Sequence, residues 1–515
     1  MTPLSTDLLP LPASDIAAGR VAVLENELAK ALTRIRYMEM LLREQYIRMF
    51  GPKSEKLSDL TLALLTMESG VTADEVDAEA LREPLVAEPE GEAPRRKKHP
   101  GRRPLSAHLP RVIETLVCPP EACRCQSCGA ETVVIGHDES ERLDKEPAKF
   151  FVRVTRREKR ACRSCQQATV TAAPLPERIV EKSLAADGLI VDVLVNKYCD
   201  HLPLYRQQAI LLREAGVEIS RSTMDGWVMQ VGGNLDPVVM AMRAELLASA
   251  YLQADETKVP VQMHDQRGSN FEAYLWQYGQ PEGPVVFEFS LTRAAEVPTR
   301  FLNGFSGILQ TDGYQAYDGI GGGRIIHLGC WAHARRMFVD AVKVSPEDAE
   351  AVAMVTRMDA LFLIDRSARQ DGLSREARQA RRDELSPQLV EGIHTACTRL
   401  AAAVLPASAL GKAVRYTLNQ WEKLKRCVAH PEAELSNNLA ENSMRPVVLG
   451  RKNWLHVGSV DAGPKVAAIL SVIESCRRMK LPVRDYLAAV LPGLENRTLR
   501  QVKELTPVRW ALGRR

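Results

Sequence analysis

The sequence predicts a multidomain α/β protein, and three observations carry that expectation. At 515 residues the chain is too long for a single compact core. Its 45% hydrophobic and 26% charged content is that of an ordinary globular protein. The patterning also changes along its length: helical periodicity up to about residue 245 gives way, after residue 248, to short β-rich runs. No apolar run reaches the roughly 18–20 residues a membrane span requires, so no membrane partner is expected. The opening MTPLSTDLLPLPASD lacks the basic-then-apolar order of a secretory signal, and a cytoplasmic protein is expected.

The first element, within residues 1–57, is one long helix. Leu24, Leu28, Ala31, Ile35, Met38, Leu42 and Met49 keep an alternating 4,3 spacing between charged neighbours, and Gly51-Pro52 ends the run. A heptad stripe of this length is a coiled-coil signal and predicts a homo-oligomer; a helix packed on its own domain is the alternative. Residues 58–105 read as a linker. Nine acidic side chains between Glu68 and Glu92 face only Arg82, and RRKKHPGRR follows at once. With a second basic run, Arg153 to Arg163, this block suits a polyanion, although a solvated tail and a charged strand would look the same.

Residues 106–180 hold six of the eleven cysteines. Cys125 and Cys128 form one Cys-x-x-Cys knuckle, and Cys162 and Cys165 a second, a spacing suited to a tetrahedral Zn²⁺ in a small ribbon. Phe150, Phe151, Val152 and Val154 precede the second knuckle as a strand would require. Four thiolates leave no open coordination position, so the predicted zinc is structural. Cys118 and Cys123 are spare ligand candidates. Residues 181–246 are helical, and PLYRQQAILLREAGVEISRSTMDGWVMQVGG reads as helix, Gly turn, helix, with Ser220 or Ser222 as the second cap and Trp227 on its apolar side. Many proteins that bind no DNA share that pattern.

From 247 to 460 the order is AYLQADETKVPVQ, NFEAYLWQYG and PVVFEFS as strands, AAEVPTRFL as a helix, then GILQTDGYQAY and RIIHLGCWAHARRMF. Three strands, a helix and further strands is the order of a ribonuclease H-like catalytic core. In that frame Asp255 and Asp312 end adjacent strands, and Glu441 lies in the first turn of a helix that Asn437-Asn438 starts. Three such carboxylates can hold two Mg²⁺ ions for phosphodiester chemistry. Ordinary explanations stand beside this one: a strand-end turn for Asp255, a turn dipeptide for Asp312-Gly313, and a capping box with Asn438 or a pair with Arg445 for Glu441. Glu256, next to Asp255, points to the opposite face.

The chain resembles transposases of the bacterial insertion sequence 66 family along nearly its whole length. The matching pieces are FGPKSEKL, GRRPLSAHLPR, the two knuckles, ADETKVPV, LQTDGYQAY, CWAHARRMF and SNNLAENSMRPVVLGRKNWLHVGS. The resemblance implies a DDE triad on Asp255, Asp312 and Glu441 with Mg²⁺ or Mn²⁺, a multimerising zipper and a zinc ribbon. It further implies a helical insertion, which residues 338–430 fit, and small helper proteins from the same element. Residues 461–515 form a C-terminal helical segment. The expected activity is cleavage and joining of DNA at terminal inverted repeats and a target, in the nucleoid. His333 is a possible active-site residue, although its helix also reads as packing through Trp331 and Phe338. Arg335, Arg336, Arg445, Arg451, Lys452 and Trp454 are candidate DNA contacts. A zinc-ribbon regulator without catalysis, or a nuclease that cuts without joining, are the competing expectations.

Overall fold

The computed structural model describes residues 149–160 and 171–513, apart from 264, 266, 267 and 282, and the single positions 27, 28, 35, 38, 39, 42, 111, 113 and 130. Cys125, Cys128, Cys162 and Cys165, the linker and most of the predicted zipper lie outside the described residues. Phe150 to Val154 are exposed and form no strand; the strand begins five residues after Val154, at Lys159. There β1 (Lys159–Arg160) pairs antiparallel with β2 (Thr171–Ala172), the two strands flanking the second knuckle in sequence.

Four helices follow: α1 (Asp187–Tyr198), α2 (Leu204–Ala215), α3 (Arg221–Asn234) and α4 (Asp236–Leu247). The expected order of helix, Gly turn and helix is present as α2 and α3. Gly216, at φ 66°, takes the left-handed conformation that stops α2. Ser220, rather than Ser222, caps α3, its hydroxyl accepting the Thr223 N–H at 3.1 Å. Trp227 is buried.

A five-stranded mixed sheet occupies the centre. It comprises β3 (Tyr251–Val261), β4 (Phe271–Gly279), β5 (Val285–Ser290), β6 (Gly307–Gln310) and β7 (Ile325–Leu328), in spatial order β5-β4-β3-β6-β7. The strands β3, β4 and β5 are antiparallel neighbours, whereas β6 runs parallel to β3 and β7 to β6. Helix α5 (Glu296–Phe301) makes the crossover from β5 to β6. Three strands, a helix and two strands is the predicted order, but RIIHLGCWAHARRMF divides: its first part is β7 and WAHARRMF opens α6 (Trp331–Val344). The side-chain period changes there from 2 to 3.6, which brings Trp331 and Phe338 onto one buried helix face.

Alternation along the strands separates two apolar cores. Leu252, Leu309 and Ile325 face one, with α1, α3, α4 and α12 (Ala462–Arg478). Tyr251, Ile308 and Leu328 face the other, with α6, α7 (Ala349–Gln370), α8 (Arg375–Ala403), α9 (Ala409–Asn419) and α10 (Trp421–Ala429). Helix α11 (Asn438–Trp454) returns to β3, where Val457 and Pro260 share a backbone hydrogen bond of 2.8 Å. The short helices α13 (Val483–Val490), α14 (Leu499–Lys503) and α15 (Pro507–Leu512) complete the fold. No helix among the described residues is long and apolar enough to cross a membrane.

Among the described residues the outer strand β5 has no strand on its far side, and α12 serves as the neighbour there. Ser475 Oγ accepts the Val285 N–H at 2.9 Å and donates to its carbonyl, and Ser471 Oγ accepts the Phe287 N–H at 2.8 Å. These bonds satisfy edge amides that the helix itself shields from water. Replacing Ser471 and Ser475 together by Ala is expected to cost about 2–4 kcal/mol in urea unfolding, since two buried donors lose their acceptors. A loss below about 0.5 kcal/mol would show the edge to be hydrated instead.

On the same helix, burial lifts the Glu474 carboxyl to about 7 against the opposing pull of Arg477 and Arg478. The folded chain thus holds this proton more tightly than the unfolded chain, whose carboxyl titrates near 4.5. Stability associated with Glu474 is full below the unfolded value and is lost as pH rises through the folded one. Glu474→Gln is expected to match wild type near pH 4.5 and to be more stable by about 2 kcal/mol at pH 8. A constant difference across that range would contradict the linkage.

Candidate active site

Asp255 follows Tyr251 and Gln253 on alternate positions of β3, so its side chain leaves the sheet on the face of the second core. It stands mid-strand rather than at a strand end as expected, because β4 continues the ladder as far as Val261. What stops beside it is β6. Gln253 is in register with Gln310, and two residues further along each chain come Asp255 and Asp312. The parallel register therefore brings the two acids side by side.

Asp312 opens a turn in which its Oδ1 accepts the Tyr314 N–H at 2.9 Å. Gly313, at φ 95°, provides the left-handed step. The Tyr416 hydroxyl donates to the Asp312 carbonyl, and Gln420 Nε2 to that of Gly313 at 3.4 Å, so α9 and the residue after it fix the turn from above.

Glu441 lies in the first turn of α11, as predicted. Asn437 anchors this helix: its side-chain amide donates to the Ala254 carbonyl at 3.0 Å, and its N–H to Cys330 Sγ at 3.1 Å. The capping box with Asn438 is not formed. Glu441 Oε2 is 3.4 Å from Arg336, and Oε1 is 3.5 Å from His333 Nε2. Among the described residues that Oε1 is buried without a hydrogen-bond partner, as are both amide atoms of Asn438.

Electrostatics ties the three acids together. Burial first, then the charges of Asp312, Glu256 and Glu441, hold the Asp255 carboxyl well above the usual carboxylate range. Burial opposes charging of His333, but Cys330 and Glu441 outweigh it and the imidazole is pushed up to about 9. Among the described residues, no three His, Cys, Asp or Glu side chains converge closely enough to hold a metal ion as they stand. The donor set nonetheless fits a hard cation: three carboxylates that repel one another, one with an orphaned buried oxygen, are the oxygen ligands Mg²⁺ prefers.

Residues 182–465 match the family described as transposase IS66 family. The chain belongs to the IS66 transposase family. Residues 122–166 match the zinc-finger binding domain of transposase IS66, and residues 38–113 a family described as transposase C of IS166 homeodomain. Among its relatives in Sinorhizobium fredii (strain NBRC 101917 / NGR234), the uncharacterized protein y4qI is 33% identical, covering 92% of this chain and 89% of its own. The uncharacterized protein y4hP is 30% identical over 89% of this chain and 86% of its own. The uncharacterized protein y4jD is 33% identical over 79% and 81%.

The remaining residues singled out in this transposase sequence separate into two groups. His333 and Arg336 line Glu441 directly. Arg445 is exposed one turn beyond it, and Lys452 is exposed near the helix end. Arg335, by contrast, is buried against Asp359. Arg451 reaches back to Thr257 Oγ1 at 3.3 Å and to the Lys258 carbonyl. Trp454 is partly buried, with Lys197 Nζ 5.8 Å from its ring centroid.

Sequence reasoning missed the partners of Glu256 on the opposite face of β3. Glu256 is bound by Arg293 at 2.5 Å and by the Tyr317 hydroxyl at 3.0 Å, and Arg293 lies over the Tyr314 ring at 3.8 Å. It also missed the supporting glutamines. Their signal was present: Gln-x-Asp occurs at Gln253 and again at Gln310, a buried polar residue two positions before each acid.

Proposed function

We propose that this transposase cleaves DNA at the ends of its element and joins the freed 3′-hydroxyl to target DNA, using Asp255, Asp312 and Glu441 as ligands for Mg²⁺ or Mn²⁺. The observation that carries this reading is the β3–β6 register, which sets two half-buried acids side by side beneath the helix bearing the third. The sheet order, with three antiparallel strands followed by two parallel ones, supports a ribonuclease H-like core. On this reading α6 to α10 contain the helical insertion of 338–430. Bound at the triad, the cations would supply activation of water or a 3′-hydroxyl and stabilisation of the leaving oxygen. The chain's own part is to hold the acids in place, to neutralise phosphate charge through Arg336 and Arg445, and to keep the site shielded beneath α9.

Other parts would bring DNA to it. The exposed start of α3, at Arg221, Ser222 and Thr223, is placed as the entering end of a recognition helix would be. Cys125, Cys128, Cys162 and Cys165 fall within the zinc-finger match and would hold the structural Zn²⁺. Leu28, Ile35, Met38 and Leu42, the described positions of the heptad stripe, are helical and exposed, which supports pairing of protomers through it. Helper proteins of the same element are part of the reading, as is action on the nucleoid in the cytoplasm.

The test is strand transfer on a labelled element-end duplex with a target plasmid. Joined products are expected with Mg²⁺ or Mn²⁺ and none with EDTA. Cleaved ends without joining would support a nuclease, and binding without either, with the helper proteins present, a DNA-binding regulator.

A further inference from the structure

We propose that a largely buried arginine–carboxylate cluster, joining α7 and α8 to the stretch before α11, is a positioning device for Glu441, an inference that rests on the triad reading above. The cluster comprises Asp365 and Arg369 from α7, Arg378 and Arg382 from α8, and Glu434 from the stretch that leads into α11. Arg382, 2% exposed, holds Asp365 at 2.5 Å. Arg369 binds Glu434 and lies 3.3 Å from Asp365, and Arg378 stands 3.9 Å from both acids.

Ionised groups are a costly way to pack helices, and apolar side chains do that work elsewhere on α7, at Met358, Leu361 and Phe362. What guanidinium groups add is directed donors. Arg382 donates to the carbonyls of His430 at 3.2 Å and Ala433 at 3.0 Å, and Arg378 to that of Pro431 at 2.9 Å. These carbonyls belong to residues 430–436, which lie in neither helix nor strand, so each buried one needs a donor of its own.

The core strands and the first residue of α6 hold the same stretch as well. Gln310 donates to the Glu434 carbonyl at 2.7 Å, Gln253 to that of Ser436 at 3.0 Å, and the backbone N–H of Trp331 to that of Leu435 at 2.9 Å. The stretch is thus clamped from two sides, and the residue that follows it is Asn437, the anchor of the helix carrying Glu441. Asp255 is fixed by the sheet itself, and Asp312 by the turn two residues beyond β6 that Tyr416 and Gln420 hold. Glu441 alone among the three arrives through an irregular segment, and the arginines determine where that segment lies. Groups behind a metal ligand typically set metal affinity by about 10–100-fold.

Asp365→Leu combined with Arg382→Met removes the central ion pair and two carbonyl contacts while leaving an apolar filling of similar size, a change buried pairs often tolerate. The full-length double variant would be compared with wild type for Mn²⁺ binding by calorimetry and for the Mg²⁺ dependence of strand cleavage. Mn²⁺ affinity is expected to fall at least about tenfold and the half-saturating Mg²⁺ concentration to rise by a similar factor. KM for the end duplex and helical content should stay at wild-type values, and saturating Mn²⁺ should restore most of the cleavage rate, which simple destabilisation would not allow. Arg399→Gln, which breaks the exposed pair of Arg399 with Glu350 on the same two helices, should change none of these. If the double variant loses helical content, Glu434→Gln decides, with an expected shift of at least about threefold. A folded variant that binds Mn²⁺ as wild type does overturns the proposal. If wild type has no Mn²⁺ site that Asp255→Asn removes, the triad reading falls first and the positioning role with it.

Discussion

Asp255→Asn, Asp312→Asn and Glu441→Gln are each expected to lower strand cleavage and joining by at least about a thousandfold, about 4 kcal/mol of transition-state stabilisation. Binding of the end duplex should be retained, because affinity for DNA comes mainly from contacts to phosphate made elsewhere. The same geometry makes a second result necessary. Asp255 is half-buried, poorly hydrated and crowded by Asp312, Glu256 and Glu441, so in metal-free protein its charge opposes folding. Asp255→Asn should therefore stabilise the metal-free chain by about 1–3 kcal/mol, and added Mg²⁺ should narrow the gap by stabilising wild type alone. Joining at the wild-type rate in any of the three variants would remove that residue from the triad. An Asp255→Asn protein less stable than wild type without metal would mean that the carboxylate is a structural acceptor.

The fold was legible where one period dominated a segment. Strands β3, β4 and β5, the helix after them and the α2–turn–α3 unit follow from alternation, from 3.6-residue spacing and from Gly216 and Ser220 as local stop and start signals. The position of Glu441 in a first turn was legible from Asn437-Asn438. What the chain did not disclose are properties of pairing rather than of pattern. Asp255 standing mid-strand depends on how far β4 runs along β3, and the match of Gln253 with Gln310 on register across 57 residues. Arg335 shows the same gap most plainly. It shares a basic helix face with Arg336 in the sequence, yet Asp359 on a later helix draws it inward while Arg336 stays beside Glu441. Charge alone does not say which of two neighbouring arginines will find a buried partner.

Gln310→Leu is expected to destabilise the protein by about 3–4 kcal/mol although it changes side-chain volume little, because it strands several buried polar groups at once. The Gln310 amide donates to the carbonyls of Gly329 at 3.0 Å and Glu434 at 2.7 Å. Its oxygen accepts from the Tyr251 hydroxyl at 2.5 Å and from Gln253 at 2.9 Å. All four hydrogen-bonding positions of the side chain are thus used, in a residue with no exposed surface. Tyr251→Phe, which removes only one of these partners, should cost about 1–2 kcal/mol alone. Because both variants delete the same bond, the double variant should be more stable than the sum predicts by about 1 kcal/mol or more. Additive losses would mean that the two side chains act independently and that Gln310 is held by its backbone contacts alone. Strong coupling, with loss of Mn²⁺ affinity in Gln310→Leu, would show that a strand residue two positions before one acid also governs the placement of another, through the carbonyl of Glu434.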